Sequence, residues 1–387
     1  MNFELSEQHK MLAQSIRSFV EKEIEPLAEQ IDREDEFPEW IWRRLGELGW
    51  LGVTIPEKYG GAGFDYLAQA IVCEEISRSC PALALSEGAH SNLCCDNLYR
   101  NGTEEQRFKY LPPLCTGDKI GALALTEPNA GSDAVGIQLR ATKDGGYYVL
   151  NGAKTFITNG SIADTLIVYA KTEPEKGARG ITAFIVEKDF PGSFTSTHIK
   201  KMGYRGSPTA ELSFQEYRVP CQNVLGKENQ GIRVMMSGLD TERAIFCGLA
   251  LGIASRALEL SVEYAKERVQ FGQPIGKFQL IQGKLADMYT ALEASSLLTY
   301  KATTLAAMSE KGGKGTEIHK VAAAAILFSA ETATKAAMDA VQIHGGYGYT
   351  LDNQVNRLYR DAKLLEIGAG TSEVRRLVIA EALLQEG

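Results

Sequence analysis

Apolar residues recur at helical spacing over the first third of the chain, give way to short alternating runs in the middle, and return to helical spacing up to the end. Near the start, Leu5, Met11, Leu12, Ile16 and Phe19 fall on one helical face, and Ser6 with Glu7, Gln8 and Lys10 supplies a polar opening. Helical texture then runs to about Gly117, broken by the glycine-rich segment from Pro56 to Phe64. No strand precedes that segment and no Walker lysine follows it, so it reads as a structural loop rather than a phosphate cradle. Between about Ile120 and Leu225 the runs become β-branched and aromatic and are punctuated by Gly and Asn, the texture of an antiparallel sheet. Within it, Asn151-Gly152 predicts a two-residue hairpin.

From Gly238 onward the helical period holds. Ser237, with Asp240 at capping-box distance, predicts the start of a long helix, followed by a turn and a second helix from about Lys277 to Ser309. A charged loop, Glu310–Gly315, leads to a third helix that ends at Gly345 and Gly346, and a last helix starts near Thr371. The pattern implies an α+β chain of three parts: helical over 1–119, sheet over 120–228, and a helical bundle over 229–387.

Composition narrows the class without naming the chemistry. At 387 residues with 44% apolar and 23% charged side chains, the chain carries ample core material for several soluble domains. A net charge of -8 argues against a nucleic-acid partner, which needs a basic stripe. The apolar runs are short, the longest candidate being Val321–Phe328, so no membrane span is expected. Seven cysteines with no CxxC pair and no His-rich cluster predict neither disulfides nor a metal site, and point to a reducing compartment. Cytoplasm fits, as does a mitochondrial matrix after removal of a leader.

The motifs of nicotinamide enzymes, serine hydrolases and zinc proteases are absent, and His90 and His344 have no evident triad or metal partners. Two polar loops remain, Leu125–Asp133 and Phe156–Gly160, whose hydroxyls and backbone N–H groups suit a flat heterocycle or a phosphate. Glu242 is the candidate base. It shares a helix face with Phe246 and Leu249, where burial raises a carboxyl pKa, although a helix-dipole role beside Arg243 suits the same position.

The segments LTEPNAGSD, FITNG, RVQFGQPIGKFQ, QIHGGYGY and YRDAKLLEIGAGTSEVRR, in this order, resemble the signatures of the acyl-CoA dehydrogenase family over essentially the whole chain. The resemblance implies a helical domain, a β domain and a four-helix domain, noncovalent FAD, an acyl-CoA thioester substrate, electron transfer flavoprotein as acceptor, and a homotetramer built as a dimer of dimers. It implies that Leu125, Thr126, Phe156 and Thr158 line the flavin, with Phe156 standing where many members have Trp, and that Ser132 lies toward the thioester. Arg268 and Gln279, with Gln342, Gly345 and Gly346, are implied to reach the cofactor of a neighbouring subunit. Thr371, Ser372 and Glu373 are implied to meet it at a helix start, and Asp240, Arg243 and Gly370 to line the substrate.

Most members carry their base where this chain has Ala369, and alanine cannot accept a proton. In some branches the carboxylate comes instead from the helix that holds Glu242, so the resemblance assigns proton abstraction to Glu242 and carbonyl binding to the Ala369 N–H and a cofactor hydroxyl. Gly368, where straight-chain enzymes carry an aromatic, implies a pocket that admits a short branched acyl group such as isovaleryl. Other short thioesters, an oxidase, and a binding module without catalysis are the alternatives.

Overall fold

A computed structural model describes residues 5–308 and 315–385, so most of the predicted charged loop at Glu310–Gly315 lies outside the described residues. The chain opens with helix α1 (Glu7–Phe19), capped by Ser6, whose hydroxyl accepts from the His9 N–H. A π-helical stretch, Val20–Ile24, joins it to α2 (Glu25–Glu34), followed by α3 (Trp40–Glu47), α4 (Tyr66–Ser79) and α5 (Pro81–Gly88). A second π-helical stretch, Ala89–Asp96, leads to α6 (Asn97–Asn101) and α7 (Glu104–Cys115), which starts with a full capping box between Thr103 and Gln106.

The middle of the chain is one eight-stranded sheet. Its strands are β1 (Gly121–Ala124), β2 (Arg140–Asp144), β3 (Tyr147–Thr158), β4 (Thr165–Lys171), β5 (Ile181–Glu187), β6 (Ser193–His198), β7 (Thr209–Pro220) and β8 (Val224–Leu225). The order is β6-β7-β3-β2-β4-β5-β8, with β1 lying parallel beside β4 and nearly all other pairings antiparallel. Asn151-Gly152 does not turn the chain. It sits inside the continuous strand β3, at a register shift against β7, and the hairpin is made instead at Gly145-Gly146, between Asp144 and Tyr147. Gly145 has φ 57°, which suits such a tight loop, whereas Asn151 is held across the sheet by a 2.9 Å bond from its amide to Glu216.

The helical remainder comprises α8 (Gly231–Glu267), a small hairpin of β9 (Val269–Gln270) and β10 (Gln273–Pro274), then α9 (Gln279–Met308), α10 (Glu317–His344), α11 (Gln354–Ala362) and α12 (Ser372–Gln385). The sequence reading makes no separate element of α11, a short helix whose apolar residues nonetheless fall on one face. Two helices, α8 and α10, are long and apolar enough to cross a bilayer by composition alone. They pack on each other inside a core shared by the first and last domains, which accounts for their apolar faces.

Two glycines set the closest contact in that core. A Cβ on Gly248 would lie 2.2 Å from the Ala70 carbonyl oxygen, and one on Gly252 would lie 2.3 Å from that of Glu74, so α8 and α4 meet backbone to backbone. We therefore expect Gly248→Ala to cost on the order of 1–3 kcal/mol by overpacking. Gly238→Ala, on the same helix but at 3.5 Å from Asn97, has room for its methyl. Chemical denaturation of the two variants should show a clear loss for the first and none for the second; equal midpoints would remove the close crossing as a constraint.

Candidate active site

Helix α8 begins at Gly231, not at Ser237. Ser237 is no cap: its hydroxyl donates back to the Val234 carbonyl at 2.8 Å, as a serine inside a helix does. Glu242 consequently stands about three turns into the helix. Dipole effects fade within the first turn, so the helix end does not explain this carboxylate.

The surroundings of Glu242 do. It is 5% exposed, and its carboxyl accepts no hydrogen bond from any described residue. Burial drives its pKa up to about 7, with the charges of Arg243 and Arg375 pulling the other way. The neighbouring Asp240 is fully engaged: it accepts from Arg243 Nη1 at 3.2 Å and meets His319 Nδ1 at 2.8 Å. One carboxylate on this face is thus tied down and the other is left available.

The loop before α12 closes on the same place. Ala369 and Gly370 both have positive φ, 55° and 93°, and no hydrogen bond within the described residues uses the Ala369 N–H. A Cβ on Gly370 would come within 3.7 Å of Arg243 Nη2, so the loop lies against the helix face that carries Glu242. Gly368 is open: a Cβ there meets only Leu364 atoms, at 3.5 Å and beyond. Thr371 caps α12 by accepting from the Val374 N–H at 3.3 Å, and the helix start holds the Glu373 carboxyl below its usual range.

The middle domain carries the other loops that the sequence singles out. A buried ion pair organises it, with Lys154 Nζ donating to Glu127 at 2.8 Å and to the Leu125 carbonyl at 2.9 Å. Glu127 also accepts from the N–H groups of Gln138 and Leu139, at 2.6 and 2.9 Å. Burial pushes the Lys154 ammonium down to about 8, still charged at neutral pH, while the Thr155 N–H donates to the Thr126 carbonyl at 2.9 Å. The loop of Leu125, Thr126 and Ser132 is in this way fastened to the strand of Phe156 and Thr158. Phe156 itself sits in a bulge of β3 with φ 57° and is 66% exposed, so its ring is presented to solvent rather than to the core.

A second concavity, of about 540 Å³, gathers Arg268, Gly345 and Gly346 at the far end of α8, where Tyr264 stacks on His344 at 4.3 Å. Gln279 and Gln342 are exposed and do not line it. From Glu242 to Arg268 the helix rises about 40 Å. These two sets of residues are therefore far apart within one chain.

FAD fits the described residues on three counts. The Ser372 hydroxyl is buried without a partner, Arg268 pairs with no carboxylate among the described residues, and Phe156 offers an exposed aromatic face. Sequence reasoning missed Glu127, Lys154, His319 and Arg375. A lysine inside a strand of mostly apolar and aromatic residues was the one available signal, at Lys154. His90, by contrast, is accounted for structurally: it accepts from the Gly121 N–H and donates to the Leu114 carbonyl, and burial lowers it to about 4.

A buried carboxyl near neutrality on α8 and an exposed aromatic beside polar loops of the sheet domain agree with a redox enzyme that takes a flat cofactor. The acyl-CoA dehydrogenase N-terminal, middle and C-terminal domains match residues 6–118, 122–217 and 229–384. Isovaleryl-CoA dehydrogenase of Pongo abelii is 51% identical over 98% of this chain and 89% of its own length. A 2-methylacyl-CoA dehydrogenase of Solanum tuberosum is 48% identical over 98% and 92%. Butyryl-CoA dehydrogenase from Megasphaera elsdenii superposes with a TM-score of 0.95 at 42% identity, covering 100% of both chains. The chain belongs to the acyl-CoA dehydrogenase family and is an acyl-CoA dehydrogenase.

The raised pKa of Glu242 has a thermodynamic signature. Folded Glu242 keeps its proton up to about pH 7, whereas the unfolded chain releases it near 4.5, so stability falls as pH rises between those values. Glu242→Gln carries no such charge. Its melting temperature should match the wild type at pH 4 and exceed it at pH 8, by the equivalent of about 3 kcal/mol. Identical pH profiles for the two proteins would show that Glu242 is not desolvated.

Proposed function

We propose that this enzyme dehydrogenates a short branched acyl-CoA of the isovaleryl type to the trans-2-enoyl-CoA, with Glu242 as the base that removes the α-proton. The observation that carries this reading is a buried carboxylate near neutrality with no hydrogen-bond partner among the described residues, beside a loop in which Ala369 leaves the other family position without an acid. A thioester α-carbon is a weak acid, so the developing negative charge on its carbonyl oxygen needs a donor. The free N–H of Ala369 provides it, and Arg243, held by Asp240, keeps positive charge beside the ionised base. The wall of Leu125, Thr126, Phe156 and Thr158, with Thr371, Ser372 and Glu373 at the start of α12, would hold FAD, which when bound supplies the acceptor for the β-hydride.

The open side of Gly368 supports a branched substrate, as does the identity of 51% to the isovaleryl-CoA enzyme. A 2-methyl-branched thioester is the second reading, favoured by the relative at 48%. Electron transfer flavoprotein is the acceptor that family membership supports, and the unpaired cysteines support a reducing compartment.

Glu242→Gln keeps shape while removing the base. Stopped-flow flavin reduction should slow by a factor on the order of 10²–10⁴ and lose its rise with pH near 7, with acyl-CoA affinity retained. Reduction at close to the wild-type rate would send the search to another carboxylate. In the wild type, isovaleryl-CoA should give kcat/KM at least equal to that of butyryl-CoA; a clear preference for a 2-methyl or alicyclic thioester would move the assignment to the second reading.

The roughly 40 Å between Glu242 and Arg268 supports a tetramer in which Arg268, Gly345 and Gly346 complete a neighbour's cofactor site. Exposed apolar side chains beside that concavity support the same assembly: Phe271 is 92% exposed, Tyr349 81% and Leu351 72%. Arg268→Ala should lower FAD retention and loosen assembly together in sedimentation velocity. A stable monomer with full flavin occupancy would overturn the arrangement.

A further inference from the structure

Among the described residues Arg375 is the largest fully buried charged side chain, and the reaction as described does not use it. It stands in the first turn of α12 and is 1% exposed. Its fork is turned back on the loop before its own helix: Nη1 donates to the Leu365 carbonyl and Nη2 to the Gly368 carbonyl, both at 2.8 Å. The third donor, Nε, has no partner. A guanidinium this deep is costly unless paired, yet no carboxylate forms an ion pair with it among the described residues.

The two carbonyls it grips bracket the approach to Ala369. Fixing them at 365 and 368 fixes the peptide that ends in the Ala369 N–H, and the next two residues have positive φ, a geometry that a free loop of this sequence does not hold unaided. A planar fork with two parallel donors restricts direction as well as distance, which a lysine in the same place cannot do. The guanidinium also acts electrostatically on Glu242.

We propose that Arg375 is a positioning residue for the reaction: it clamps the Leu365 and Gly368 carbonyls so that the Ala369 N–H stays aimed at the thioester carbonyl, and it places a fixed positive charge beside the base. This rests on the roles given above to Ala369 and Glu242. The clamp explains how a loop containing three glycine or alanine residues in a row, Gly368 to Gly370, stays rigid enough to bind an oxyanion. Together with Arg243, it favours the ionised form of a carboxylate that burial drives toward the protonated one.

Other groups act on this pair, and any pH effect must be read against them. On α8 these are Asp240, Arg243 and the Cys247 thiol, which burial pushes to about 12. On α10 they are His319, bound to Asp240, and Glu331, whose carboxylate is taken by Arg376 at 2.6 Å. On β4 the Tyr169 hydroxyl is driven well above its usual range by burial and by Glu242. Of the positive charges, only Arg375 also holds the 365–368 loop.

The test uses the FAD-loaded enzyme with two substitutions, Arg375→Gln and Arg375→Lys. Calorimetry gives the affinity for the enoyl-CoA product and for its thioether counterpart, which lacks the carbonyl. The wild-type preference for the thioester should fall about tenfold in Arg375→Gln and by about threefold or more in Arg375→Lys, as expected for a misaimed charge-assisted hydrogen bond. The rise of flavin reduction with pH should move to higher pH in the Gln variant and stay in place in the Lys variant, which keeps the charge. Should Arg375→Gln not fold, the Lys variant carries the test alone. An unchanged thioester preference in a variant that folds and holds FAD overturns the proposal, because a purely structural arginine would lower stability and leave that ratio intact. Failure of the base assignment shows elsewhere, in the reduction rate of Glu242→Gln, and leaves the binding ratio of the Arg375 variants standing.

Discussion

The close approach of α8 to α4 is the constraint from which the rest of the architecture follows. Glycines at 248 and 252 let the two backbones touch, so the helix that carries Glu242 is locked to the first domain rather than merely to its own bundle. That contact makes one continuous core of the first and last domains. On the face that carries Glu242, Phe246, a turn further on, is wedged against Gly88 and helps to exclude water. A carboxylate on an ordinary bundle surface would ionise near its usual value; here the fold itself withholds solvent.

What makes such a site workable is the division of labour among its charges. Asp240 is committed to Arg243 and His319, and Arg375 to two carbonyls, so the groups that stay unengaged are the Glu242 carboxylate and the Ala369 N–H. Preorganisation of this kind has a stability cost, visible in the partnerless Nε atoms of Arg243 and Arg375. In the sheet domain, the Glu127–Lys154 pair ties down a loop much as Arg375 is hydrogen-bonded to the loop before α12. A buried, fully hydrogen-bonded ion pair fixes a loop of small polar residues that would otherwise sample many shapes.

Helix α8 also bears on the assembly we propose. Glu242 lies toward its start and Arg268 at its end, about 40 Å apart, so on the proposed roles the two serve different cofactor sites. Length alone thus turns a single-chain fold into one whose sites are completed between chains, as we propose.

The sequence by itself determined the order of the domains, the helices with long apolar periods, and the family, since five ordered motifs leave little freedom. It also singled out Glu242, because Ala369 removes the alternative acid from the chain. It misplaced the start of α8 at Ser237 and a hairpin at Asn151-Gly152, because capping and turn signals are local and lose to tertiary context. A serine can bond back within a helix, and an Asn-Gly pair can be absorbed by a bulge when a neighbouring strand holds it. Burial, and with it the raised pKa of Glu242, was decided only by the tertiary structure. Desolvation depends on which backbones meet, and Arg375 and Glu127 look in the sequence like ordinary surface charges until the packing encloses them.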